Sequence, residues 1–340
     1  MKLTKTLQKK FSNVFVAILS EKNEYVLKYI VIKNEKIIKS EEKRFPMDED
    51  KKLSSDIKEF LLSLQKGYKF VYIAVLLESI SQNCLSGCEK EKLKEYGVEE
   101  EKVYTVCVDK KWMSYVLKSD ILWLKSIFEE VGLDFIYSPF LVLNNFIRNK
   151  KSRNKNTLHL LYSVNSITLM LFDEEKLVFN AFFKIPFKEF DFKDEDEEEL
   201  KPEEDTSIDG IELDNIESED EEFEGFVDIT KLEDDDDSFK EDEEILQDAK
   251  EQIASSSLED LELYGREVII FKYIKSAIEE YYKNDKYDSE FLEDIIFYCD
   301  SNISNDIITM IENDLFLNVE IHSIDIKEEM INMSIKEVDF

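Results

Sequence analysis

Glycine is scarce in this sequence: seven among 340 residues, at positions 67, 87, 97, 132, 210, 225 and 265. A phosphate cradle needs backbone N–H groups that approach the ligand closely and adopt positive φ, which is glycine's role. Histidine is scarcer still. His159 and His322 each lie in or beside an apolar run, which disfavours a Ser-His or Cys-His catalytic arrangement. The four cysteines show no framework spacing, which points to a reducing compartment and to free thiols. Cys84 and Cys88 form a C-x3-C pair without a second half, so no metal site is expected. No apolar run reaches the roughly 18 residues of a membrane-spanning helix. The start, MKLTKTLQKKF, lacks the apolar block of a signal peptide, and its basic residues read as a solvated end. A soluble protein without cofactor is expected.

Apolar residues make up 43% of the chain and aromatic ones 12%, enough for a sizeable core and two lobes. The formal charge of −34 is local. Residues 189–262 hold 35 acidic and 5 basic residues, a net of −30, whereas the rest of the chain is close to balance at −4. Such a segment cannot bury enough apolar surface to order itself. Within it Ile208, Ile211, Phe223, Phe226, Val227 and Ile229 stand as apolar islands, which read either as partner-docking segments or as part of an inert solubilising loop. Direct nucleic-acid binding is disfavoured, because phosphate contacts need a basic face. The one basic cluster, RNKKSRNKN, is short and reads as a hinge.

Periodicity predicts three strands over 14–18, 25–32 and 36–44, then a helix with Ile57, Phe60, Leu61 and Leu64 on one face and Gly67 at its stop. FVYIAVLL reads as a buried strand. KVYTVCV is a strand, SDILWLKSIFEEVG a helix, LDFIYSP a strand and FLVLNNFI a helix. The pattern then restarts: LHLLYSVNSITLMLFDEEKLVFNAFF is again strand, turn, strand, turn, strand. After the acid come the helix REVIIFKYIKSAIEEYY, the strand LEDIIFYCD, the helix SNDIITMIENDLF and a closing strand VEIHSIDI. An internal duplication follows, with two lobes related by a pseudo-repeat.

Two strand meanders, each followed by helices and hinged in the middle, resemble the actin-like ATPase fold. The segment VYTVCVDKKWMSYVLKSDILWLKSIFEEVGLDFIYSPFLVL, the LHLLYSVNSITLMLFDEEKLVFNAFF hairpins and the YIKSAIEEYY helix look like their counterparts in the PilM family of type IV pili and in the GspL cytoplasmic domains of type II secretion. The resemblance implies an α/β, actin-like (ribonuclease H-like) two-lobe fold with a duplicated strand meander plus helices. Residues 1–150 would form the first lobe, 151–188 the start of the second, 189–245 an acidic insertion and 246–340 the remainder.

In that family an Asp-x-Gly turn after the first strand of each lobe holds metal and phosphates, and a Gly-Gly lies against the adenosine. The corresponding places look like Ile18, Leu19 and Ser20, Leu161, Tyr162 and Ser163, and Cys299 with Asp300. Carboxylates and glycines are replaced there, which leaves a hard cation and a polyphosphate without ligands. The resemblance therefore implies a non-enzymatic scaffold, cytoplasmic and peripheral to the inner membrane. It would bind the cytoplasmic tail of a bitopic membrane protein (PilN-like) in a secretion, pilus or DNA-uptake platform. Contact with the assembly ATPase and homo-oligomerisation are compatible with it. The alternatives are an active actin-like ATPase or sugar-kinase relative, and an acidic protein that mimics nucleic acid.

Overall fold

The computed structural model describes residues 10–48, 52–150, 156–185 and 258–338. The first lobe opens with an antiparallel meander, β1 (Asn13–Glu21), β2 (Glu24–Lys33) and β3 (Lys36–Pro46), followed by α1 (Ser55–Gly67) and β4 (Phe70–Leu76). A small sheet is inserted next. It comprises β5 (Asn83–Ser86), α2 (Glu91–Glu95), a 3-10 turn at Glu100–Lys102, β6 (Val103–Val108) and β7 (Trp112–Leu117). The lobe closes with α3 (Lys118–Ile127), β8 (Phe135–Tyr137) and α4 (Pro139–Lys150). The second lobe repeats the meander as β9 (Thr157–Tyr162), β10 (Ser166–Asp173) and β11 (Lys176–Lys184). It continues with α5 (Leu258–Lys283), β12 (Asp294–Cys299), α6 (Asn305–Asp314), β13 (Asn318–Ser323) and α7 (Ile326–Glu337).

The two large sheets have one topology, β3-β2-β1-β4-β8 and β11-β10-β9-β12-β13. Hairpin register superposes them residue by residue: the pair Ile18↔Leu27 corresponds to Leu160↔Leu169. In each lobe the fourth strand runs parallel to the first, Ile18 beside Val75 and Leu160 beside Phe297. A parallel neighbour requires a crossover, which α1 and α5 supply.

Side-chain alternation then sorts the strands between cores. On β1, Val14, Val16 and Ile18 face an outer core with Ile57 and Leu61 of α1 and Ile121 and Leu124 of α3. Phe15, Ala17 and Leu19 face a central core, which also takes Leu161, Met170, Phe172 and Tyr298 of the second lobe, Val142 and Leu143 of α4, and Met330 and Ile331 of α7. The outer core of the second lobe joins Leu158, Leu160 and Tyr162 to Ile270, Ile274 and Ile307. The central core makes the two lobes one packed body, with α4 and α7 between the sheets.

Several elements depart from the sequence expectation. β7 follows β6 through a three-residue connection, Asp109–Lys111, in which Asp109 and Lys110 have φ of 51° and 62°, a turn geometry usually signalled by Asn-Gly and here built without glycine. β5 and α2 occupy what reads as a polar stretch. The end of VEIHSIDI is not strand: β13 stops at Ser323 and α7 starts at Ile326, capped by the Asp325 carboxylate, which accepts from Glu328 N–H at 2.9 Å. The expectation of free thiols is corrected in part. Cys88 and Cys107 are joined, with Cα atoms 5.5 Å apart, because the β6–β7 hairpin folds Cys107 back onto the segment after β5. Cys84 and Cys299 are free and buried. Residues 189–245, with Phe223, Phe226, Val227 and Ile229, lie outside the described residues.

Candidate functional site

The C-terminal ends of the first and fourth strands of both lobes meet at one mouth. Superposition by register makes the β1–β2 turn, Glu21-Lys22-Asn23-Glu24, equivalent to the β9–β10 turn, Ser163-Val164-Asn165-Ser166. It also makes Glu78, just beyond β4, equivalent to Asp300, just beyond β12. The second turn is held by its own hydroxyls. Ser163 N–H donates to Ser166 C=O at 3.0 Å, and Ser166 N–H donates to Ser163 Oγ at 3.1 Å. Arg266 of α5 donates to Val164 C=O and lies 5.6 Å over the Tyr162 ring.

Asn165 joins the lobes. Its Nδ2 donates to Ser20 C=O at 2.6 Å and to Glu78 Oε2 at 3.0 Å, while its Oδ1 accepts from Lys22 N–H at 3.3 Å. Ser20 Oγ donates to the same Glu78 oxygen at 2.8 Å. Burial pushes the Glu78 carboxyl above the usual range, against the pull of the Asn165 and Ser20 hydrogen bonds. One side chain thus spans the space between the turns.

The other half of the mouth is charged. Lys327, on the first turn of α7, is almost fully buried. Its Nζ lies 3.8 Å from Asp300, 3.8 Å from Glu42 and 3.9 Å from Glu21. Arg44 lies 3.4 Å from both Glu21 and Glu24. Lys28 pairs with Asp325 at 2.7 Å and Glu328 at 2.8 Å. Burial raises the Asp300 carboxyl, with Lys327 and the Ile326 N–H acting against it. Burial also acts on Asp325, but there the Lys28 hydrogen bond and the Glu328 N–H prevail and the carboxyl is lowered.

Three residues singled out from sequence, Ser20, Ser163 and Asp300, therefore come together at the mouth. Ile18, Leu161 and Cys299 do not. Ile18 lies in the outer core of the first lobe, Leu161 in the central core and Cys299 in the outer core of the second lobe. Ile18 and Leu161 are also not counterparts in the repeat, as the resemblance takes them to be. Leu19 is the counterpart of Leu161, both facing the central core, and the one-residue offset puts Ile18 on the opposite face. Sequence reasoning missed Glu78, Asn165, Glu21, Glu42 and Lys327. Glu78 follows the FVYIAVLL strand directly and was legible as a strand-end carboxylate, whereas nothing local marks Lys327.

A second feature lies on the small sheet, ordered β5-β7-β6. The β5 edge is closed by Asn180 of β11, whose side chain accepts from Cys84 N–H and donates to Cys84 C=O, both at 3.0 Å. The β6 edge has no strand beside it among the described residues. Tyr104 and Val106 are exposed there, opposite Val116 and Ser114 of β7. Leu117 at the end of β7, Leu122 and Trp123 of α3 and Ile80 of the loop after β4 are exposed beside this edge, and Lys118 of α3 reaches over the Tyr104 ring. A polar cavity of about 360 Å³ between β5, β11 and the end of α5 lies at the β5 edge of the small sheet, on the other side of it from the β6 edge.

Among solved structures, the chain is similar to the PilM-PilN type IV pilus biogenesis complex, with a TM-score of 0.50 and 11% identity over 92% of this chain and 89% of that one. It is also similar to a Bacteroides thetaiotaomicron protein with actin-like ATPase fold and unknown function, at a TM-score of 0.45 and 12% identity over 96% and 97%. Identity at this level speaks for fold alone, and the fold is the actin-like, two-lobe α/β fold that the duplicated sheets describe. A comparison with curated protein sequences finds no match. Residues 11–144 match the family described as Domain of unknown function (DUF8569). Residues 158–339, more than half of the chain, match the family described as Domain of unknown function (DUF8341), and to that family the chain belongs.

Proposed function

We propose that the chain is a non-catalytic docking component of a secretion, pilus or DNA-uptake platform, whose first lobe captures the extended cytoplasmic tail of a bitopic inner-membrane protein. The observation that carries this reading is the open β6 edge, with Tyr104 and Val106 exposed along it and an apolar α3 surface beside it. Main-chain groups of an open edge bind an extended peptide, and alternate side-chain pockets read it. The similar pilus structure is itself a complex of PilM with PilN, which gives the reading its partner class. Among the described residues no helix is long and apolar enough to cross a membrane, so attachment to the inner membrane would come through that partner.

The absence of turnover belongs to the same reading. Neither Leu19 nor Leu161 offers a carboxylate toward the cleft, the Ser163–Ser166 turn has no glycine, and Asn165 fills the space between the turns. A polyphosphate would meet Glu21, Glu42, Glu78 and Asp300, and like charges at about 4 Å repel by roughly 1 kcal/mol even in water and by several in a partly buried site. The residues do not fit a magnesium–nucleotide complex. Ser20, Ser163 and Asp300 become structural groups of a closed mouth, and Phe223, Phe226, Val227 and Ile229 supply a second docking segment in the acid.

Two measurements test this. A photoreactive amino acid placed at position 104 should cross-link to a single-span membrane protein in cells, and one placed at Phe291 on the second lobe should not. Titration of the purified chain with ATP and magnesium should show neither saturable binding nor turnover. Adducts at 291 but not 104, or a magnesium-dependent rate, would each refute their half of the reading.

A further inference from the structure

Lys327 is an unusual residue for its place. The first turn of a helix carries the positive end of the helix dipole and favours anions, and a desolvated ammonium is unfavourable unless carboxylates surround it. The Lys327 side chain is only 8% exposed. Its three partners converge from separate elements: Glu21 ends β1, Glu42 lies on β3 and Asp300 follows β12. All stand 3.8 to 3.9 Å away, so the ammonium sits centrally among them and is not drawn onto one. The Lys28 bridge to Asp325 and Glu328 and the Arg44 contacts with Glu21 and Glu24 leave more carboxylates than cations in the same network. Carboxylates drawn from both lobes around one point are the class of oxygen donor a hard divalent cation takes, but with the ammonium between them no cluster able to hold a metal is formed among the described residues.

We propose that the Lys327 ammonium is the resident cation of the mouth: it occupies the point on which Glu21, Glu42 and Asp300 converge and so makes closure of the two lobes independent of any metal ion. This deepens the non-catalytic reading, on which it rests. It explains how an acid-rich mouth stays closed, and it predicts that a metal-binding cluster appears when the lysine is removed.

The test uses the full chain, manganese chloride alone as the probe, and two substitutions. Wild type and Lys327→Arg should melt at the same temperature with and without Mn²⁺. Lys327→Met should melt several degrees lower. Mn²⁺ should restore much of that loss and bind the Met variant about tenfold or more tighter than wild type by electron paramagnetic resonance. Adding Asp300→Asn to the Met variant should remove the rescue. If Lys327→Met does not fold, refolding it with and without Mn²⁺ replaces the melting experiment, and only the metal should yield folded protein. The proposal is overturned if wild type is itself stabilised by Mn²⁺ and Glu21→Gln abolishes that effect. It is equally overturned if Lys327→Met is as stable as wild type, if Mn²⁺ rescues neither its melting nor its refolding, or if Lys327→Arg also fails to fold. Peptide capture is read separately by cross-linking at position 104, so failure here leaves that result standing.

Discussion

The two lobes are the same backbone with different ends. Strand order, hairpin register and the inward face agree from copy to copy: Leu19 corresponds to Leu161, and Leu76 to Tyr298, all in the central core. At the mouth the agreement stops. Glu21 of the first lobe corresponds to Ser163 of the second, Lys22 to Val164 and Ser20 to Tyr162. Asn23 and Asn165 are identical, and each accepts through its carbonyl from the residue after its lobe's third strand, Met47 or Ile185. Asn165 also reaches across to the other lobe through its side chain. Apolar alternation is what the sheets need in order to pack, so the repeat keeps it. The turns are free to differ, and that difference gives the mouth hydroxyls and an amide on one side and carboxylates on the other.

The largest test of this equivalence is in the shared core. Leu19→Ala and Leu161→Ala remove counterpart side chains from one packed body, and each should cost about 2–5 kcal/mol. Urea unfolding should remain a single transition in both; separate transitions for the lobes would break the comparison. The small sheet has no described counterpart in the second lobe, and its Cys88–Cys107 link closes a loop of 19 residues. Reduction should therefore cost about 3 kcal/mol on the chain-entropy account, with amide exchange rising in β5–β7 and not in the two large sheets. Next comes Asn165→Ala. It leaves Glu78 and Ser20 without their amide donor and should cost about 1–3 kcal/mol, measurable by the same unfolding experiment.

How much of this was legible depends on what each residue answers to. The meanders were legible because Val14 to Leu19 is a continuous apolar run and Leu158, Leu160 and Leu161 form one broken only by His159, both buried on both faces, and the repeat could be seen from their recurrence. β7 was hidden because its turn, Asp109-Lys110, reaches positive φ without glycine. α7 was hidden behind VEIHSIDI, although Asp325 three residues before Glu328 is a capping pattern. The cysteine link was not readable, since Cys88 and Cys107 meet only through the unrecognised hairpin. At the mouth, the bend at Ser163–Ser166 was found from its polar residues. Lys327 could not be, because its partners are brought from three strands of two lobes and no local pattern marks their convergence. The register slip between Ile18 and Leu161 has the same origin: an apolar run shows that a strand exists, but not which of its faces meets the other lobe.

The smallest expected effect sharpens the comparison most, because it separates the two counterpart carboxylates. Glu78 and Asp300 are both raised, chiefly by burial, but Glu78 is relieved first by the neutral donors Asn165 and Ser20, with Lys184 a lesser influence, and Asp300 first by the buried Lys327 ammonium, with the Ile326 N–H second. A carboxyl whose folded pKa lies above its unfolded value binds protons more readily when folded. Its contribution to stability is therefore undiminished at low pH and declines as pH rises from the unfolded range through the folded one. Replacing Glu78 by glutamine removes that decline while leaving an amide oxygen to accept from Ser20 and Asn165. Glu78→Gln should match wild type near pH 4 and exceed it increasingly toward pH 8, as read by urea midpoints across the range. Asp300→Asn should gain less, or lose, at neutral pH, because the same change deprives a buried ammonium of a counter-ion. If the two variants gave the same pH profile, the lobes would be electrostatic equivalents, and the lysine would not distinguish them.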